Sequence, residues 1–169
     1  VGTTLNKNLD RILYAIKDLK IKIIIIGKIN NSQTQFLRKN KILFKNYINI
    51  PEKKLIESYN EAKVLLFPSL YEGFGLPIIE AQRMCVPVIT SNISPMKEIA
   101  NKSALLVDPK NVKDIRLNLK RIINNRSLRE SLIKKGYKNS MKFEPYNSRK
   151  KYFGLYKKLY QENLKKKFI

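Results

Sequence analysis

Glu72 and Glu80 stand with seven residues between them in the run Tyr71-Glu-Gly-Phe-Gly-Leu-Pro-Ile-Ile-Glu-Ala-Gln82, around two glycines and a proline, in an otherwise strongly basic chain. Phe67-Pro68-Ser69 reads as the end of a strand, and Pro77 suits the first residue of a helix, where its missing N–H leaves no bond unmade. The residues between form a loop at the carboxyl end of a parallel strand, the place where open α/β sheets bind ligands. Gly73 and Gly75 let the main chain approach a ligand closely. The amides of Gly75 and Leu76, backed by the positive end of the helix dipole, favour a phosphate or diphosphate. Glu80, about one turn into the helix, suits a vicinal diol such as a ribose, which gives a carboxylate two hydrogen bonds. Glu72 lies on the other side of the glycines, where a sugar attached to the diphosphate would be found. The same residues also allow a plainer reading, ordinary capping of a helix that opens in Gly-Leu-Pro.

The elements that position this loop follow from periodicity. Leu9, Ile12, Leu13, Ile16 and Leu19 recur at helical spacing, and the β-branched run Ile21 to Ile26, closed by Gly27, reads as a strand buried on both faces. Further strands are expected at Ile42 to Ile48, Val64 to Phe67, Pro87 to Thr90 and Ala104 to Val107, with helices at Glu52 to Ala62 and Pro77 to Met84. Short apolar strands alternating with amphipathic helices predict the α/β class, a Rossmann-like doubly wound parallel sheet with helices on both faces. From Val112 onward the pattern is helical, with Gly136 as a break and Pro145 as an end. A C-terminal helical segment, 146–167, carries Tyr152, Phe153, Tyr156, Leu159, Tyr160 and Leu164, a stripe expected to bury against something.

Composition bounds the chemistry. The 169 residues, 43% apolar, suffice for one domain, and Lys and Arg number 35 against 13 Asp and Glu, a net charge of +22. That balance favours anionic partners, although the lysines are spread along the whole chain in company with abundant Asn and Ile, as a biased genome would place them. No nucleic-acid motif accompanies them, so nucleic acid is not expected as a partner. Lys157, Lys158, Lys165, Lys166 and Lys167 could instead rest on an anionic membrane surface. A single cysteine and no histidine exclude an internal disulfide and a Cys/His zinc site, and point to a reducing cytoplasm. Cys85 reads as a small buried hydrophobe. No apolar run approaches the ~18 residues of a membrane span. The opening Val1-Gly2-Thr3-Thr4 suggests a piece of a longer protein.

The run Phe67 to Ala81, followed by Pro87-Val-Ile, resembles the E-x7-E signature of the retaining GT-B glycosyltransferases of family 4, the glycosyl transferases group 1. Val1-Gly-Thr-Thr-Leu-Asn-Lys-Asn-Leu-Asp-Arg11 resembles the glycine loop and basic residue that open the donor-binding half in that family, Ser91 to Glu98 its serine-rich loop, and Ala104 to Pro109 the strand that follows. The resemblance implies that residues 1–169 form a single C-terminal domain, the donor-binding half of a GT-B fold, with an N-terminal acceptor domain elsewhere. It implies a nucleoside-diphosphate sugar, UDP- or GDP-linked, as donor, a glycan or lipid-linked acceptor, retention at the anomeric carbon, no cofactor and no metal. Glu72 and Lys7 would be catalytic, Lys7 neutralising the departing diphosphate. Gly2, Thr3, Lys7, Gly73, Phe74, Gly75, Leu76 and Glu80 would bind the donor, Glu80 at the ribose. Where the family often carries an arginine after the first glycine, this chain has Thr3 and Thr4, with Lys28 or Arg11 as possible substitutes. Without its other half the domain is expected to bind nucleotide and transfer little sugar. A nucleotide-binding module without catalysis is one alternative, and a basic membrane- or nucleic-acid-binding module, ranked below it, the other.

Overall fold

Leu9, Ile12, Leu13, Ala15 and Ile16 lie on one buried face of the first helix, α1 (Leu9–Ile16), which leads through Leu19 into strand β1 (Lys22–Ile26). The computed structural model describes residues 2–144 and, beyond them, Phe153, Tyr156 and Lys157. Within these the alternation continues as α2 (Asn31–Lys39), β2 (Leu43–Tyr47), α3 (Glu52–Glu61), β3 (Leu65–Phe67), α4 (Leu76–Arg83), β4 (Val88–Ser91), α5 (Met96–Ala100), β5 (Leu105–Val107), α6 (Val112–Asn124) and α7 (Arg126–Ser140). Helix α2 has no counterpart in the hydrophobic periodicity. It is set by a capping box in which Asn30 accepts from the Gln33 amide and Gln33 accepts from the Asn30 amide, and it docks through Leu37.

All strand pairs are parallel, as expected for the doubly wound class, but they form two sheets rather than one. β1 pairs with β2 from Lys22–Leu43 to Ile26–Tyr47, and β3, β4 and β5 form the second sheet with β4 at its centre. Side chains alternate across β4: Ile89 enters a core built on α1 and α6, while Val88 enters a second core with Ile78, Ala81 and Met96 from α4 and α5. The facing edges of β1 and β3 are separated by an apolar slot of about 480 Å³, lined by Ile12, Ile16, Ile24, Leu66, Tyr59 and Leu119 among others. This corrects the reading of β1 as buried on both faces. Ile25 is its one buried residue, because the strand's inner edge opens on the slot.

Three further expectations change. Gly136 does not break α7. It sits where α7 crosses α4, and a Cβ there would lie 3.0 Å from Gln82 Cγ. Gln82 is buried and held at both ends, donating to Ser103 Oγ at 2.8 Å and accepting from Asn139 Nδ2 at 2.9 Å, so it has no room to give way. Gly136→Ala is therefore expected to lower stability by about 1 kcal/mol in chemical denaturation, despite a helix-propensity gain of similar size. Cys85 is exposed rather than buried, because it turns outward in a left-handed conformation (φ 56°) after α4. The segment 146–167, expected to be helical, lies outside the described residues except for Phe153, Tyr156 and Lys157, which are helical. Phe153 and Tyr156 are 72% and 66% exposed, against the expected burial of the aromatic stripe, and no other described residue covers them. Pro145 is also outside the described residues; α7 ends at Ser140 and passes into a 3-10 turn, Met141–Phe143.

Candidate functional site

The loop ahead of α1 is the first wall of the site. Gly2 adopts φ +83° and donates its amide to Ile26 O at 2.7 Å, so the first loop starts beside the carboxyl end of β1 with the Lys7 stem lying across Gly2; a Cβ here would sit 2.8 Å from Lys7 Cε. Thr3 Oγ1 donates to Lys28 O at 2.7 Å, and a 3-10 turn, Leu5–Lys7, leads into Asn8 in left-handed conformation (φ 61°). Asn8 is buried and donates through Nδ2 to Pro68 O at 2.9 Å and Pro109 O at 2.6 Å, tying the first loop to the exits of β3 and β5. Asn6 adds two more ties, accepting from the Leu70 amide at 2.7 Å and donating to Tyr71 O at 3.1 Å.

These ties bring Lys7 against Glu72, 65 residues away in sequence: Nζ and Oε1 are 2.7 Å apart, with side-chain exposures of 20% and 11%. The ammonium also lies 4.9 Å from the centre of the Phe67 ring. An ammonium has three donors and a carboxylate several acceptor sites, so the pair leaves bonding capacity on both partners.

The second wall is the turn into α4. Gly75 caps the helix at φ +103° over the buried Ile78, and Pro77 occupies the second helical position rather than the first. Gly73 faces open space. Phe74 is partly exposed and meets Phe143 edge-on at 6.0 Å, and Leu76 is exposed. Glu80, the fifth residue of α4, is half-buried. The capping alternative does not hold for it: the first turn of α4 contains no acid, and Glu80 Oε2 instead accepts a hydrogen bond of 2.8 Å from the hydroxyl of Tyr59 on α3. Burial, then the charge and hydrogen bond of Glu80, push the Tyr59 hydroxyl above its ordinary range. It therefore stays protonated and donating, holding one carboxylate oxygen and leaving the other available.

The candidates thus fall into one group, Gly2, Thr3 and Lys7 on the first loop and Glu72, Gly73, Phe74, Gly75 and Leu76 on the second, with Glu80 behind on the helix. Of the possible substitutes for the missing arginine, Arg11 is engaged with Asn8 Oδ1 at 3.0 Å, while Lys28 is exposed. Glu98, on α5, accepts from Ser94 Oγ at 3.0 Å. Among the described residues no cluster of His, Cys, Asp and Glu could hold a metal ion. Sequence reasoning missed Asn6, Asn8 and Tyr59. The first two carried a signal in their position beside Lys7; Tyr59 carried none, since an aromatic at helical spacing reads as packing.

The parallel strands with helices packed on them resemble the C-terminal domains of GT-B glycosyltransferases in fold. The sequence model of the family described as Glycosyl transferases group 1 matches residues 3–139, and the chain belongs to that family. It is 33% identical over 110 residues to O-antigen chain mannosyltransferase B of Escherichia coli, covering 65% of this chain and 29% of that protein. The chain thus spans less than a third of that relative's length. Its fold is similar to that of the C-terminal domain of LpcC, a group 1 family protein of Francisella tularensis (TM-score 0.72, 21% identity, 84% of this chain and 82% of that one). It is also similar to HepE of Anabaena, solved in complex with UDP and glucose (TM-score 0.77, 14% identity, 88% of this chain and 45% of that one).

Proposed function

We propose that residues 1–169 are the donor-binding domain of a retaining glycosyltransferase of polysaccharide biosynthesis, taking a UDP- or GDP-linked sugar between the Gly2–Lys7 loop and the Glu72–Leu76 turn. The observation that carries this reading is the Lys7–Glu72 pair at 2.7 Å beside a glycine-capped helix start, in a chain of this family. The amides of Gly75 and Leu76 take the diphosphate at the positive end of α4. Glu80, steadied by Tyr59, accepts from the ribose hydroxyls.

When the bond between the anomeric carbon and the diphosphate oxygen breaks, its electron pair stays on the diphosphate. The Lys7 ammonium stabilises that growing negative charge as it leaves. Glu72 orients Lys7 and the sugar, and Phe67 beneath them limits water. The acceptor hydroxyl arrives on the face from which the diphosphate departs, which is what retention requires, and as its oxygen bonds to the anomeric carbon its proton passes to the departing diphosphate oxygen. That acceptor, a glycan or lipid-linked sugar, is contacted by a separate N-terminal domain, so residues 1–169 alone transfer little sugar. A cytoplasmic site of action, with the lysine-rich C-terminal end on anionic lipid, belongs to the same proposal.

Thermal unfolding of the chain with UDP-, GDP- and ADP-sugars tests it. A donor at a hundred times its Kd adds about 2.7 kcal/mol, or roughly 5–10 °C in Tm for a domain of this size. One nucleotide class should produce that shift; no shift with any of the three removes the reading.

A further inference from the structure

Lys7 is held at both ends by one strand exit. Its ammonium lies 4.9 Å from the centre of the Phe67 ring, and the next residue along the chain, Asn8, donates through Nδ2 to the carbonyl of Pro68 at 2.9 Å. The second proton of the same amide goes to Pro109 O at 2.6 Å, just past β5, and Oδ1 accepts from Arg11 Nη1 at 3.0 Å. Every polar atom of the Asn8 side chain is therefore engaged. At 4% exposure the residue does not face the cleft, so it has no contact to offer a donor.

The backbone at this position does not itself call for asparagine. Asn8 is left-handed (φ 61°), a conformation that glycine adopts with less strain. Its main-chain bonds, from its amide to Leu5 O at 3.1 Å and to its carbonyl from the Ile12 amide at 3.2 Å, need no side chain. Those two bonds make Asn8 the joint between the Leu5–Lys7 turn and α1. What the side chain adds is the placement of that joint, and of the Lys7 Cα beside it, against the exits of β3 and β5. Glu72 rides on the chain that leaves β3 through Pro68, so the tie refers Lys7 to the same strand end that carries its partner.

We propose that Asn8 is a positioning residue for sugar transfer and acts through Lys7: its buried side-chain amide, bonded to Pro68 O and Pro109 O, holds the ammonium where the departing diphosphate needs it. The inference rests on the role proposed above for Lys7 and adds to it the group that sets its place.

A double-mutant cycle of Asn8→Gly and Lys7→Ala in the full-length enzyme tests it, with kcat counted per folded molecule. Asn8→Gly keeps the left-handed backbone and deletes the side-chain bonds. It should lower kcat by about 10–100-fold, the cost of displacing a catalytic group by roughly 1 Å, and leave donor KM within about threefold. In the Lys7→Ala background the same change should lower kcat by less than about twofold, because the group it places is already gone. A side chain that only stabilised the fold would leave kcat per folded molecule unchanged, and one that shaped the loop as a whole would lower it equally in both backgrounds; either result overturns the proposal. If the glycine variant does not fold, Asn8→Ser, whose hydroxyl can keep one of the two ties, takes its place in the cycle and is judged by the same contrast between backgrounds. Turnover of Lys7→Ala within about threefold of the parent would overturn the role of Lys7 and this proposal with it, whereas equal losses in the two backgrounds overturn this proposal alone.

Discussion

Lys7→Ala in the full-length enzyme is expected to lower kcat by about 10²–10³-fold, the usual loss when one preorganised group facing developing charge is removed. Donor KM should change much less, because on the proposed reading the α4 amides also hold the diphosphate of the bound ground state. The same substitution strands the Glu72 carboxylate, 11% exposed, with Asn6 Nδ2, 3.4 Å away, as its remaining donor among the described residues. Fully buried pairs cost about 3–5 kcal/mol when one partner is removed and exposed ones about 0–1, so this intermediate pair should cost roughly 1–3 kcal/mol in ligand-free stability. Lys7→Ala combined with Glu72→Gln should recover most of that stability and none of the turnover. The cycle separates the two roles: stability recovers because no unpaired charge remains, whereas the diphosphate still lacks its cation. Turnover of Lys7→Ala within threefold of the parent would make Lys7 a structural counter-ion. Lys7→Arg is not expected to rescue, since the stem already passes so close to Gly2 that even a methyl group there would collide with it.

How much of this was legible depends on whether a feature is local. The β-branched run at Ile21 to Ile26 and the apolar face of α1 are written in consecutive residues, and the structure makes the first a strand, Lys22–Ile26, and buries the second. The Glu72-to-Glu80 run likewise carries its own geometry, because strand end, glycines and proline fix a loop followed by a helix. What failed was set by neighbours distant in sequence. Gly136 looks like a break until Gln82, 54 positions away, is placed 3.0 Å from it; Cys85 is the local exception, turned outward by its own left-handed backbone at the end of α4. The burial of β1 cannot be judged from its own isoleucines, because it depends on what occupies the space beside it. The site divides the same way: Gly75 and Glu80 are evident from spacing, while the Lys7–Glu72 pair and the Tyr59–Glu80 bond join residues 65 and 21 positions apart.

Glu80→Gln should raise donor KM by about 10–100-fold while kcat stays within a few-fold. A hydrogen bond to a charged acceptor is worth about 1.5–3 kcal/mol, against 0.5–1.5 for a neutral one. The ribose is remote from the breaking bond, so its contacts strengthen ground state and transition state alike and their loss falls on KM. Tyr59→Phe removes no donor contact, but it frees the carboxylate oxygen that the hydroxyl now holds at 2.8 Å. That loss of orientation should cost roughly 2–10-fold in KM, the worth of one neutral hydrogen bond. A 2′,3′-dideoxyribose donor, which lacks both hydroxyls, distinguishes this from simple misfolding. If Glu80 grips the sugar hydroxyls, the parent should bind the dideoxy donor as weakly as Glu80→Gln binds the natural one, and both substitutions should have little further effect on it. An undiminished penalty with the dideoxy donor would place Glu80 away from the ribose. It would leave the Tyr59 bond as a brace between α3 and α4 alone, so that Tyr59→Phe would then lower Tm without moving KM.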